Sequence, residues 1–391
     1  MQSFTQFIIL NKNTTYTLKS NYEGTINAEM KKTTYILTCI LILMYAASLI
    51  IFSENVIKGV IDAVESCVYI IIPSLYAFMV ISGFIVSSDI YRLLSRPFAF
   101  VAKYLFRIPA DLFSVFIISS FAGYPVGAKM LTELYAEGKT DKSTAEKMMG
   151  YCYMGGPAFF CGAVGCTIYG NAYMGLVIFI CILLSNITAA VISGLKNDIP
   201  SDRQTSPVKL KLTASDFISC INAGGISILK MCGIIIFFST IISILDSSGI
   251  LLNIASVISA ITGLSLADVI GLIKATIEIS NIKSVSSDIS LLPLVTALLS
   301  SGGLCVLFQI EGIIQGKLST HNFYLHRFVS IILSYLYCKI LICIFDVNYY
   351  IQTSTNINIS YRQNSPIPSV FLLFMTILLL SNNFIAKSKK M

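Results

Sequence analysis

Few side chains in this sequence are placed to do chemistry. The densest group is Ser120-Phe-Ala-Gly-Tyr-Pro-Val-Gly-Ala-Lys129. Gly123 and Gly127 permit close backbone approach, while Pro125 removes a donor and fixes a bend. Tyr124 and Lys129 can present a hydroxyl and an ammonium group to a ligand. The alternative is a tight turn between packed helices, with Lys129 snorkelling to water. The spacing Gly-x-x-x-Gly-Ala-Lys is not that of a phosphate-binding loop, and no strand precedes it. A second group is Gly155-Gly156-Pro157, a helix break inside an apolar stretch, paired later with Gly302-Gly303. A third is Lys274, Glu278 and Asn281. Lys274 and Glu278 stand four apart and can pair on one helix face. Otherwise Glu278 couples a process to protons or sodium, with Lys274 or Lys283 facing an anion. Gln309 is expected to face the same site from beyond the second break, and Glu311 falls nearer the cytoplasmic end.

Other chemistries find no support. The 11 cysteines include no Cys-x-x-Cys pair and read as small buried hydrophobes. His321 and His326 fall in an expected cytoplasmic loop, at a spacing that suits no metal-binding helix face. Asn186-Ile-Thr188 fits a glycosylation sequon but lies inside an expected span. No nucleophile and base stand together. We therefore expect no enzyme activity, metal or cofactor, apart from the open question of proton or sodium coupling.

The elements that must position these groups are membrane helices. Of 391 residues, 55% are hydrophobic and 12% charged. Soluble proteins carry roughly 25% charged residues, so a soluble body, a disordered tail and a nucleic-acid binder are excluded. A bilayer core needs about 20 apolar residues per helix. Crossings are expected at Thr33–Phe52, Ser66–Val86, Thr144–Ile168, Ala172–Gly194, Lys230–Leu245, Leu291–Ile314, Phe328–Phe345 and Ile367–Ala386. A separate segment, Thr213–Leu229, precedes the fifth. Ser87–Arg107 and Gly249–Gly263 read as surface helices. Ala110–Leu134 and Leu266–Ile289 are pieces too short to span, and read as re-entrant hairpins. With the N-terminus inside, 21 of 27 Lys and Arg fall on the cytoplasmic side and two outside (Lys58, Arg362). That asymmetry supports eight crossings plus two hairpins.

The halves look alike. Ile57–Ile90 lies on Phe217–Ile250 without a gap, Ala110-Asp111 matches Ala267-Asp268, and Gly155-Gly156 matches Gly302-Gly303. Each half reads span, surface helix, hairpin, broken helix, span. Three crossings per copy invert the second copy relative to the first. The expected fold is an all-α polytopic membrane protein of two inverted repeats, each with a re-entrant hairpin and a broken helix. Its parts are an N-terminal tail and anchor (1–53), repeat 1 (54–195), a cytoplasmic linker (196–212), repeat 2 (213–346), and an external loop with a C-terminal anchor (347–391). Such repeats are the sequence pattern of secondary transporters, which hold their ligand between the breaks.

These residues resemble the sporulation integral membrane proteins of the YlbJ/SpoVV family, within the wider group carrying a nucleoside-recognition "Gate" domain. The resemblance covers about Ile57–Ile344. It rests on Ile71-Ile-Pro-Ser-Leu75, on Ser120–Lys129 (similar to the family's Ser-Gly-Tyr-Pro-x-Gly-Ala-Lys), and on Gly156-Pro157-Ala-Phe-Phe-Cys-Gly-Ala-Val-Gly165. In the second half, Glu278-Ile-Ser-Asn281 and Gly302-Gly303-Leu-Cys-Val-Leu-Phe-Gln309 are similar to family runs. Here Ile282 replaces a glycine, Leu307 a histidine, and Tyr153-Met154-Gly155 stand where asparagines are usual. The resemblance implies an architecture like that of concentrative nucleoside transporters. It also implies export of dipicolinate from the mother cell, with the outer forespore membrane as one location. A nucleoside or nucleobase carrier and a non-transporting scaffold of spore assembly remain as alternatives. Expected partners are the bilayer of a bacterial cell membrane and a small-molecule substrate. Both termini are expected in the cytoplasm, and self-association is left open.

Overall fold

The computed structural model describes residues 34–195 and 213–344. The expected linker, the external loop and the C-terminal anchor lie outside those residues. The described chain is helical, with no strand among the described residues. Contacts divide the chain after Ile57. The first unit contains helix α1 (Thr34–Ile51), long and apolar enough to cross a membrane.

From Lys58 onward the body is built of helix pairs. Helix α2 (Ser53–Ser87) is followed by the short α3 (Ile90–Ser95) and by 3-10 and π-type turns ending at Arg107. Helices α4 (Ala110–Ala122) and α5 (Tyr124–Ala136) follow, then α6 (Lys142–Tyr151), α7 (Phe159–Tyr169) and α8 (Ala172–Leu195). The second half holds α9 (Ala214–Ser247), α10 (Ile250–Thr262), α11 (Leu266–Ile277), α12 (Leu292–Ser301), α13 (Gly303–Ile314) and α14 (His321–Ile344). By length and composition, α1, α2, α8, α9, the stretch Ile289–Ile314 and α14 can each cross a bilayer. Helices α10 and α11, bent by 118° at their junction, make a seventh candidate if counted together. The chain is a multi-pass membrane protein. Six candidates coincide with expected crossings. The stretch Thr144–Ile168 is interrupted over Cys152–Gly156, and its apolar arm is α7 alone.

Several boundaries differ from the sequence reading, each for a local reason. Helix α2 begins at Ser53, well before Ser66, because Glu54, Lys58, Asp62 and Glu65 do not interrupt a helix that already has an apolar face. Pro73 forces a wide turn over Cys67–Ile71, where Ile72 N–H bonds Cys67 O. A proline ring clashes with the carbonyl four residues back, and the extra residue relieves it. Thr213–Leu229 and Lys230–Leu245 are one 34-residue helix, since one lysine on an exposed face breaks nothing. Helix α14 begins at His321, so His326 and Arg327 belong to it and not to a loop.

Both short pieces fold back on themselves. In the first hairpin the turn residue is Gly123, at φ +107°. A Cβ on Gly127 would lie 2.9 Å from Ser119 Cβ, so α4 and α5 run side by side. In the second, Asp268 Oδ1 accepts from Ser286 N at 2.7 Å, and Gly271 faces Ser284, so the chain reverses at Glu278. At the base of the first hairpin, Lys139 Nζ reaches Asp89 and Glu137, both at 2.7 Å, and Val86 O at 2.7 Å. Burial works against its charge, yet these two carboxylates hold its ammonium pKa above the usual lysine value.

The hairpin makes a contrast testable. A Cβ on Gly127 would sit 2.0 Å from Cys152 O, whereas one on Gly233 meets nothing. Gly127→Ala should lose at least about 1–3 kcal/mol, the usual cost of overpacking. Gly233→Ala should leave the melting temperature in detergent unchanged or raise it. Equal melting temperatures for the two variants would contradict the packed hairpin.

Candidate functional site

Breaking a helix inside a membrane exposes backbone groups that no water reaches, and each must find a partner. The last carbonyls of α12 are answered one by one. Leu299 O accepts from Tyr124 Oη at 2.7 Å, Ser300 O from Arg327 Nη1 at 3.3 Å, and Ser301 O from Tyr153 Oη at 3.0 Å. The chain then turns through Gly302 and Gly303, at φ +80° and +77°. At the other break, past the end of α6, Arg327 donates to Gly150 O and, at 3.2 Å, to Tyr153 O. Asn186 on α8 donates to Tyr153 O at 3.0 Å and accepts from Arg327 Nη2 at 3.1 Å. The guanidinium also lies over the Tyr153 ring, 4.6 Å from its centre. One buried cation thus serves the C-terminal ends of both interrupted helices, where the helix dipoles favour positive charge.

One cavity adjoins this junction, and a second adjoins the first. The central one, about 50 Å³, brings together the first hairpin tip (Gly123, Tyr124, Pro125), the first break (Gly155, Gly156, Phe159) and the second tip (Glu278). Ser74 and Met231 line it from the middle of α2 and α9, and Gln309 from α13. Glu278 is 5% exposed and is its one charged lining residue. The carboxylate accepts from Ser280 N at 3.1 Å, from Ser280 Oγ, and from Asn281 Nδ2 at 3.0 Å. The second cavity, about 220 Å³, is lined by residues that include Lys129, Glu133, Lys230 and Lys317. It shares Met231 and Gln309 with the central one, so those two side chains stand between the cavities.

The residues singled out by sequence therefore fall in three places. Gly123, Tyr124, Pro125, Gly155, Gly156, Glu278 and Gln309 line the central cavity. Lys129 lines the second, where its buried Nζ holds Glu133 at 3.0 Å and donates to Met79 O at 3.1 Å, so it does not snorkel. Gly127, Pro157, Asn281, Gly302 and Gly303 line neither cavity. Gly127 packs on Cys152, Asn281 braces Glu278, and Gly302 lies against Tyr153 Oη. The proposed Lys274–Glu278 pair does not form. Glu278 has left the helix for extended backbone (φ −138°), and Lys274 instead meets Asp246 at 2.7 Å on the outside. Tyr124 Oη is likewise committed to Leu299 O. Glu311 is exposed and accepts from Tyr324 Oη at 3.0 Å.

Sequence reasoning missed Arg327, Tyr153 and Asn186. Arg327 was counted with the cytoplasmic charges because it borders an apolar run. The signal that could have found it is Asn186, a polar side chain in the middle of a span, which needs a buried partner.

Arg327→Ala should orphan several carbonyls, at about 1–3 kcal/mol each, and lower the melting temperature steeply. Arg327→Lys keeps the charge but lacks the fork, and should recover only part of the loss. A melting temperature for Arg327→Ala equal to that of the wild type would remove the junction's importance. Against known proteins, no family model, no curated sequence and no solved structure matches the chain.

Proposed function

We propose that this protein is a membrane transporter of a small metabolite, built as two inverted repeats that hold the solute between their hairpin tips. One observation carries the reading. Both tips, the first break and α13 beyond the second break, spread from Gly123 to Gln309 in sequence, converge on a single cavity. At about 50 Å³ it has room for a few waters, so the solute enters only when the tips separate. Alternating access by one hairpin-bearing bundle against the rest would supply that motion.

The packing of α2 on α9 supports the inversion. The two helices run antiparallel, with Gly59 against Ser243 and Gly83 against Cys220. Laying Ile57–Ile90 on Phe217–Ile250 carries the first contact onto Ser219 and Gly83, one residue from the second. The element order is also the same in both halves. Resemblance to the YlbJ/SpoVV family makes dipicolinate the proposed solute, exported from the mother cell during sporulation. A dicarboxylate beside ionised Glu278 is repelled, so this reading requires Glu278 to carry a proton while the solute occupies the centre. A nucleoside is the second reading, favoured by one observation. A buried carboxylate beside an amide and a serine suits the hydroxyls of an uncharged sugar.

Reconstituted vesicles separate the two. With labelled dipicolinate, Glu278→Gln mimics the protonated state and should preserve flux while flattening its pH dependence. With labelled uridine, Glu278→Gln should cut flux by tenfold or more, because an acceptor is lost. Flux of neither solute through folded protein would sink both.

A further inference from the structure

Lys230 lies near the middle of α9, inside a helix apolar enough to span a membrane, and it has no ion pair among the described residues. A charge at that depth is tolerated where it lines a watery cavity, and it marks a functional site by default. The cavity it lines also takes in Lys317, equally without an ion pair among the described residues, and the Lys129–Glu133 pair. Glu133 offsets one of the three lysine charges; its Oε1 meets Lys129 at 3.0 Å, while its Oε2 is buried without a hydrogen-bond partner. Lys230 and Lys317 leave the cavity with a surplus of two positive charges. Its volume, about 220 Å³, is several times that of the central cavity and lies at the scale of a small metabolite.

We propose that this cavity is an anion-binding vestibule, in which Lys230 and Lys317 hold a small dicarboxylate before it passes Gln309 and Met231 to the centre. The assignment rests on the transporter reading for its role in a path, but not for its binding chemistry. Selection for anions then happens at the vestibule, outside the chamber that holds Glu278. The lining includes Ala136, Gln315 and Lys317, next to loops that the sequence reading assigns to the cytoplasm, so on this proposal the solute is collected from that side. Held by exposed ammonium groups, it should bind more weakly as salt rises.

Equilibrium dialysis of the full chain in detergent, with radiolabelled dipicolinate, tests this directly. Wild type should show saturable, salt-sensitive binding. Lys230→Gln with Lys317→Gln should weaken it by about tenfold or more, as loss of charge-assisted hydrogen bonds implies. Lys142→Gln, outside the cavity and exposed, should leave it unchanged. Binding equal in the double variant and the wild type, or no saturable binding to wild type at millimolar dipicolinate, would overturn the vestibule. Vesicle flux from the same preparation keeps the two proposals apart. Flux of dipicolinate or uridine without lysine-dependent binding would leave the transporter and remove the vestibule. Lysine-dependent binding without flux of either would do the reverse. Melting curves confirm that the variants are folded.

Discussion

Two interrupted helices in a dry interior set the terms for the rest of this structure. Each interruption leaves carbonyls that water cannot reach, and hydrocarbon offers them nothing. The protein answers with a single guanidinium, Arg327, shared between both ends, and with Tyr124 and Tyr153 for the neighbouring carbonyls. All of these bonds except Arg327 to Ser300 cross between the halves of the chain. They fix the first hairpin tip to α12 and the first break to α14. The cavity between the tips is therefore a consequence of how the breaks are satisfied.

The same bonds explain why some chemically attractive residues are not free for a ligand. A tyrosine at a hairpin tip looks like a binding hydroxyl, but Tyr124 Oη is committed to Leu299 O. Lys129 looks like a free cation, but Glu133 and Met79 O hold it. In the centre, Ser280 and Asn281 brace the Glu278 carboxylate, and the least committed side chain is Gln309, whose amide makes a 3.5 Å contact with Cys305 Sγ. Lys230 and Lys317, which have no ion pair among the described residues, line the second cavity. Charge and shape are thus divided between two chambers that meet at Gln309.

Sequence legibility followed the same division. The helices, the two chain reversals and the two glycine breaks were readable, because apolar length, Gly-Pro interruptions and scarce charges act locally. The Lys274–Glu278 pair was misread because four-residue spacing implies a shared face only while the helix continues, and it ends before Glu278. Arg327 was misread because a charge beside an apolar run has the same sequence appearance whether it points to water or inward.

The opening motif shows where the boundary falls. By itself, the sequence determined that this is a multi-pass helical membrane protein, with a break at Gly123-Tyr124-Pro125 and two apolar pieces too short to span. Those follow from what a bilayer and a backbone allow over a few turns. Only the tertiary structure decided that the two tips meet, that Arg327 joins the breaks, and that Lys129 and Lys230 face one cavity. These include contacts between residues 174 and 175 positions apart, and they depend on the register of packed helices, which no local pattern encodes.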